Sequence, residues 1–153
     1  MSEMTIESLH AETQQLHAKV ERFMRQTKIA ASIEVAMISI GLREDERYAG
    51  AVLNDDGTIK HHLIVMAERK TSVTWQEALD WAASIGGAIP TLQELSLIVA
   101  NCKKHIGTAW HWSCETHESN ASYAWGCGFD SGYQSYGSKS AHGAAVAVRR
   151  LIP

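Results

Sequence analysis

No lysine- or arginine-rich stripe runs through this chain. Its 14 basic and 17 acidic residues leave a net charge of −3, spread along the sequence. A surface built to track phosphates is therefore not expected, and nucleic acid is not expected as a main partner. Long hydrophobic runs are missing too. The most apolar stretch, Ile29 to Leu42, is broken by Ser32, Glu34 and Ser39, so no membrane-spanning segment is expected. The opening Met1-Ser2-Glu3-Met4 carries an acid and no apolar core, unlike an export signal. Cysteine is scarce, and Cys102, Cys114 and Cys127 read as reduced thiols of a protein that folds in a cytoplasm. With 45% apolar and 20% charged residues, the composition also excludes disorder and a collagen-like repeat.

What is present begins with a period. Ile6, Leu9, Leu16, Val20 and Phe23 recur at spacings of three and four, with Thr13 at the missing step. Ile6, Thr13 and Val20 fall at one core position of a heptad, and Leu9, Leu16 and Phe23 at the other. Helix-forming polar residues lie between them. So narrow a stripe favours self-association as a dimer or trimer. A single amphipathic helix lying on its own domain stays open. The expected division is an oligomerisation helix over 1–30 and a binding domain over 31–153.

From Ile33 to Gly41 the pattern turns to an extended or irregular segment. Tyr48 to Leu53 and Ile59 to Met66 read as strands joined by the turn Asn54-Asp55-Asp56-Gly57. Thr74-Trp75-Gln76-Glu77 is a capping box that opens a helix ending at Gly86-Gly87. Thr91-Leu92-Gln93-Glu94 opens a second helix. Trp75 and Trp81 are expected in the core, with Trp125 and Phe129. Ala145 to Leu151 reads as a final strand.

His111, Cys114, His117 and Cys127 are zinc-type ligands at nearly zinc-type spacing. Against that, residues 111 and 114 of an extended strand face opposite sides. His111, Cys114 and Cys127 are expected as ordinary strand residues, one thiol packed as a small hydrophobe, with no metal and no cofactor. His61, His62, His105 and His142 have no partner identifiable from sequence, so no catalytic residue is assigned. The strongest functional signal lies from Ser119 to Gly143, which is mostly Ser, Gly and Tyr. Rigid aromatics with Ser, Gly and Asn make adaptable recognition surfaces. Tyr133 and Tyr136, bracketed by Gly132 and Gly137, are expected in an exposed loop. Gln134, Asp130, Lys139, His142 and Glu115 complete the candidate ligand-binding set.

In order along the chain come Tyr48-Ala49-Gly50, His62-Leu63-Ile64, Thr74-Trp75-x-x-Ala78, Trp81-Ala82, Gly87-x-x-Pro90-Thr91-x-x-Glu94, Trp112-Ser113, Tyr123-Ala124-Trp125 and Ala147-Val148-Arg149-Arg150. The series resembles the Lcl C-terminal-like domain family of phages, prophages and bacterial surface proteins. More distantly it is similar to the formylglycine-generating and sulfatase-modifying domains. The resemblance covers about residues 48–151 and implies an α+β, C-type-lectin-like domain, in which two helices flank a small twisted, mainly antiparallel sheet with long loops. It implies no catalysis, because the copper-binding cysteine pair near the chain end of the formylglycine-generating enzymes has no counterpart after Cys127. The calcium motifs of true C-type lectins are not present either. The expected function is a phage- or prophage-type binding module, oligomerised by its N-terminal helix, that takes a glycan or a host protein through the 115–143 loops and could later be carried on a virion. A small intracellular effector that inhibits a host protein or sequesters a small molecule is the alternative. A metal-dependent enzyme is a weaker one.

Overall fold

The computed structural model describes residues 6–27 and 38–153, and the chain divides into two compact units, Met1–Ser39 and Ile40–Pro153. The expected boundary at 30/31 and most of the segment read as extended from Ile33 lie outside the described residues. In the first unit α1 spans Ile6–Thr27, with Glu7 in its first turn and Arg25 in its last, the signs the helix dipole favours. The seam residues are exposed, from 46% at Leu9 to 86% at Ile6. Thr13 donates its hydroxyl to the Leu9 carbonyl at 2.8 Å, which removes the cost of an idle polar group within the stripe.

The second unit is an α+β domain. In chain order it contains β1 (Arg47–Leu53), β2 (Ile59–Val73), α2 (Trp75–Ser84), α3 (Leu92–Ile106), β3 (Trp110–Thr116), β4 (Tyr123–Gly128), β5 (Gln134–Ser138) and β6 (Gly143–Leu151). These strands form one mixed six-stranded sheet in the order β1-β2-β6-β3-β4-β5. Neighbours are antiparallel except β6 and β3, which meet in parallel through Ala144 and His111. The final strand thus lies at the centre, between the first hairpin and the later three strands.

β6 explains why the domain has two layers of core. Val146 and Val148 pack with Leu95, Ile98 and Cys102 of α3, while Ala145 and Ala147 pack with Ala78 and Ala82 of α2. Alternate residues of a strand face opposite ways, so a run that is apolar at every position must be covered on both faces. Both helices start where expected. Thr74 and Thr91 each accept a hydrogen bond from the amide three residues on, and Glu77 and Glu94 return to the cap amides at 2.7 and 2.8 Å. Ile85 caps α2, followed by Gly86 at φ +77°.

Three expectations are corrected. β2 continues past Met66 to Val73, because Arg69, Lys70 and Val73 still pair with β6 beyond a bulge, polar side chains notwithstanding. Trp75 and Trp81 are only half-buried; the fully buried tryptophan is Trp112, whose indole N–H donates to the Val73 carbonyl at 3.0 Å. Trp125 is half-buried as well, whereas Phe129 is fully buried as expected.

Candidate functional site

The glycines of the 119–143 region do different work from the turns their abundance implies. Trp110 and Trp112 stand edge to face with centroids 4.5 Å apart. A Cβ on Gly126 would collide with the Trp110 ring and the His111 carbonyl, and one on Gly143 would come within 3.0 Å of both indoles. Strand glycines here let two tryptophans approach the sheet closely. Packing on that face turns Ala124 and Gly126 inward to the α2 layer and so turns Tyr123 and Trp125 to the opposite face.

On that opposite face α3 reaches Gln134, whose side-chain amide donates to the Leu92 carbonyl at 3.1 Å and to Ser96 Oγ at 2.8 Å. Past this contact the face of β4 and β5 carries aromatic side chains. Tyr136, 54% exposed, is the register partner of Trp125, with ring centroids 5.4 Å apart and planes at 85°. Tyr123 meets Tyr136 edge-on at 5.8 Å. His117, in the turn after β3, stacks on Trp125 at 5.2 Å and abuts Tyr136 at 4.4 Å. Its position is set by its amide, which donates to the Tyr123 carbonyl at 2.9 Å.

One acidic group, Glu118, touches the four rings, and a second, Glu115, is held at the start of α3. Glu118 accepts the Trp125 indole N–H at 3.2 Å, and its own amide with that indole holds its carboxyl below the usual range. Glu115 accepts the Leu92 amide at 3.4 Å, at the first turn of α3. The rings touch one another, stacked at His117 and Trp125 and edge to face at Tyr136, so they form a continuous aromatic platform rather than a cage around a void.

Only part of the candidate set comes together here. Tyr136 is on the platform, on strand β5 rather than in the expected loop; Gln134 lies two residues before it on the same strand, and Glu115 meets the start of α3. Tyr133 is exposed by 72% in the turn before β5, where its carbonyl accepts the Gly128 amide at 2.9 Å. Asp130 lies in that same turn, accepting from the Ser131 amide at 2.8 Å, while its carbonyl accepts from Lys103 of α3. Lys139 belongs to the α2 side. Its ammonium sits 3.9 Å from the Trp75 ring centroid and donates to Thr116 Oγ1 at 2.9 Å. His142 is exposed, just before β6.

The histidines and thiols are engaged elsewhere. His111 is buried, stacks on Phe129 at 4.1 Å and donates Nδ1–H to the Ala109 carbonyl at 2.8 Å; burial brings its pKa down to about 4. Burial pushes the Cys102, Cys114 and Cys127 thiols up, away from thiolate. Among the described residues no group of three metal-ligating side chains converges. His62 Nδ1 pairs with the Tyr48 hydroxyl at 2.9 Å.

His61 has the carboxylate partner that no sequence pattern discloses. Its Nε2 is 2.8 Å from Glu94 Oε1, and Arg150 clasps the same carboxylate at 2.6 and 2.7 Å. Burial works against ionisation of Glu94, but Arg150, the Thr91 amide and His61 outweigh it and hold the carboxyl below its ordinary range. This cluster ties the start of α3 to β2 and β6, and its ring and guanidinium are committed to that task.

No protein-family model matches the chain, and no curated protein matches it significantly. Among the described residues no helix is long and apolar enough to cross a membrane.

Proposed function

We propose that residues 40–153 form a non-catalytic binding module of the phage or prophage type, with a C-type-lectin-like arrangement, and that its ligand is a glycan. One observation carries the reading: the platform of His117, Tyr123, Trp125 and Tyr136 with the Glu118 carboxylate on the Trp125 indole. A sugar ring offers a flat C–H face to stack on an aromatic ring and hydroxyls that donate to carboxylates. Rigid aromatics contribute this area with little entropy loss on binding. The C-type-lectin-like arrangement is supported by the terminal strand beside the first hairpin, by one helix on each face, and by the Lcl-like order of motifs. The non-catalytic reading is supported by the engagement of the buried histidines with structural partners and by thiols held protonated.

A host protein is the second reading. Tyr133 and Tyr136 favour it, since both are exposed and tyrosine is enriched among residues that anchor protein interfaces. In either case α1 makes the module multivalent through its exposed seam. The test is a printed glycan array probed with the full chain and with Tyr136→Ala. Saturable binding to a glycan class that the variant loses by tenfold or more supports the reading. A chain that binds no glycan, or a variant that binds equally well, overturns it.

A further inference from the structure

The proposed multivalency has a geometry that α1 itself specifies. We infer that α1 pairs with α1 of a second copy as a parallel, two-stranded coiled coil. This inference rests on the self-association just proposed and adds its orientation and number. The occupant of the seam is a second copy because the stripe is self-complementary: it is one residue wide at each step and flanked by the polar Glu12, His17 and Lys19 until Met24 widens it beside Phe23.

Orientation follows from which residue stands where. Ile6, Thr13 and Val20, at the first core position, are all β-branched, whereas at the second Leu9 and Leu16 are γ-branched and Phe23 is aromatic. This division is the packing preference of parallel pairs of helices. In parallel register each layer meets its own kind, so Thr13 faces Thr13 and costs one polar layer rather than two. Antiparallel pairing sets Thr13 against Leu16 twice. The flanks agree with the parallel register. Glu12 precedes the Thr13 layer and His17 follows the Leu16 layer, five residues on, the spacing at which flanking side chains of parallel helices meet. Both are exposed on α1 and available to an adjacent helix. Antiparallel pairing also has a flank in its favour, Glu12 against Lys19, so the orientation rests on the core layers. Both chains leave a parallel seam at the same end, so two binding units are carried forward together and a surface bearing repeated ligand is held by both.

Disulfide trapping tests this on the full chain, in a Cys114→Ser background that removes the half-buried native thiol. A disulfide needs Cα atoms closer than about 7 Å. Parallel register brings Leu9→Cys opposite itself and Phe23→Cys opposite itself, whereas antiparallel pairing separates two Leu9→Cys positions by about 16 Å along the axis. Mild oxidation should give a covalent dimer from each single variant, and none from the background chain. Crosslinking only in a mixture of Leu9→Cys with Val20→Cys would overturn the parallel orientation while leaving self-association intact. A trimer-sized species in sedimentation of the unoxidised protein would overturn the number. A monomer at every concentration up to about 100 μM, with no crosslinks, would overturn the self-association on which the inference rests.

Discussion

Trp125 and Tyr136 are register partners on β4 and β5, and their rings meet at 85° with centroids 5.4 Å apart. Directly opposed aromatic residues are among the stronger cross-strand pairs, about 0.5–1 kcal/mol beyond their area. Here the pair is also surface, since Tyr136 is more than half exposed. A contact that stabilises an edge strand and still presents its rings to solvent suits a binding face that does not rearrange on capture.

Removing the exposed member should separate stability from binding. Tyr136→Ala is expected to lower stability by no more than about 1 kcal/mol, as for other solvent-facing strand residues. Denaturant titration checks this. A loss above about 3 kcal/mol would place the ring in the core and disqualify it as a site residue.

Trp112 is expected to behave in the opposite way. It is fully buried on the α2 face, and Trp112→Ala should cost about 3–5 kcal/mol. Gly126→Ala should also be severe, because the new methyl would strike Trp110 and the His111 carbonyl. Trp75→Ala and Trp81→Ala, at half-buried sites, should be milder than Trp112→Ala. Equal losses at all three tryptophans would contradict the assignment of the core.

Acid should unfold the domain through two identifiable groups. His111 has its pKa lowered to about 4, so the unfolded state binds the proton more readily. Its contribution is whole above the ordinary histidine range and is lost as pH falls from there toward 4, about 3 kcal/mol by that point. His111→Phe should flatten that part of the profile in thermal melts across pH 7 to 4. An unchanged slope would mean that another group titrates.

Glu94 has the same sign at lower pH. Its depressed carboxyl contributes stability above the ordinary carboxylate range and loses it as pH falls through the folded value. At neutral pH, Glu94→Gln leaves Arg150 and His61 without their carboxylate. The expected cost is about 3 kcal/mol, at the low end for a buried pair because Arg150 is one-third exposed. A neutral effect would show that the capping hydrogen bonds alone hold the start of α3.

What the sequence discloses is what local chemistry decides. Thr74 and Glu77, or Thr91 and Glu94, are three residues apart, so both capping boxes are legible. The Asn54–Gly57 turn and the 3–4 period of α1 are legible for the same reason. Contacts across the sheet are not. His61 and Glu94 are separated by 33 residues and meet only after β2 and α3 pack together. His117 enters the platform because β3 and β4 are joined by the turn that places it on Trp125. Neither its spacing nor its type signals this, and it reads as a metal candidate. Composition marks 119–143 as rich in Ser, Gly and Tyr, yet it does not distinguish glycines that make turns from Gly126 and Gly143, which make room for indoles. Nor could it show that β5 carries Tyr136 on a strand.

The most direct measurement is the glycan array with paired probes, the full chain against Tyr136→Ala, both first shown to be folded by near-UV circular dichroism. The prediction is saturable binding of the full chain to one glycan class and at least a tenfold loss in the variant, with melting temperatures within a few degrees of each other. Undiminished binding by the folded variant, or no glycan bound by the full chain, would contradict the claim that the His117–Tyr123–Trp125–Tyr136 platform is a glycan-binding face.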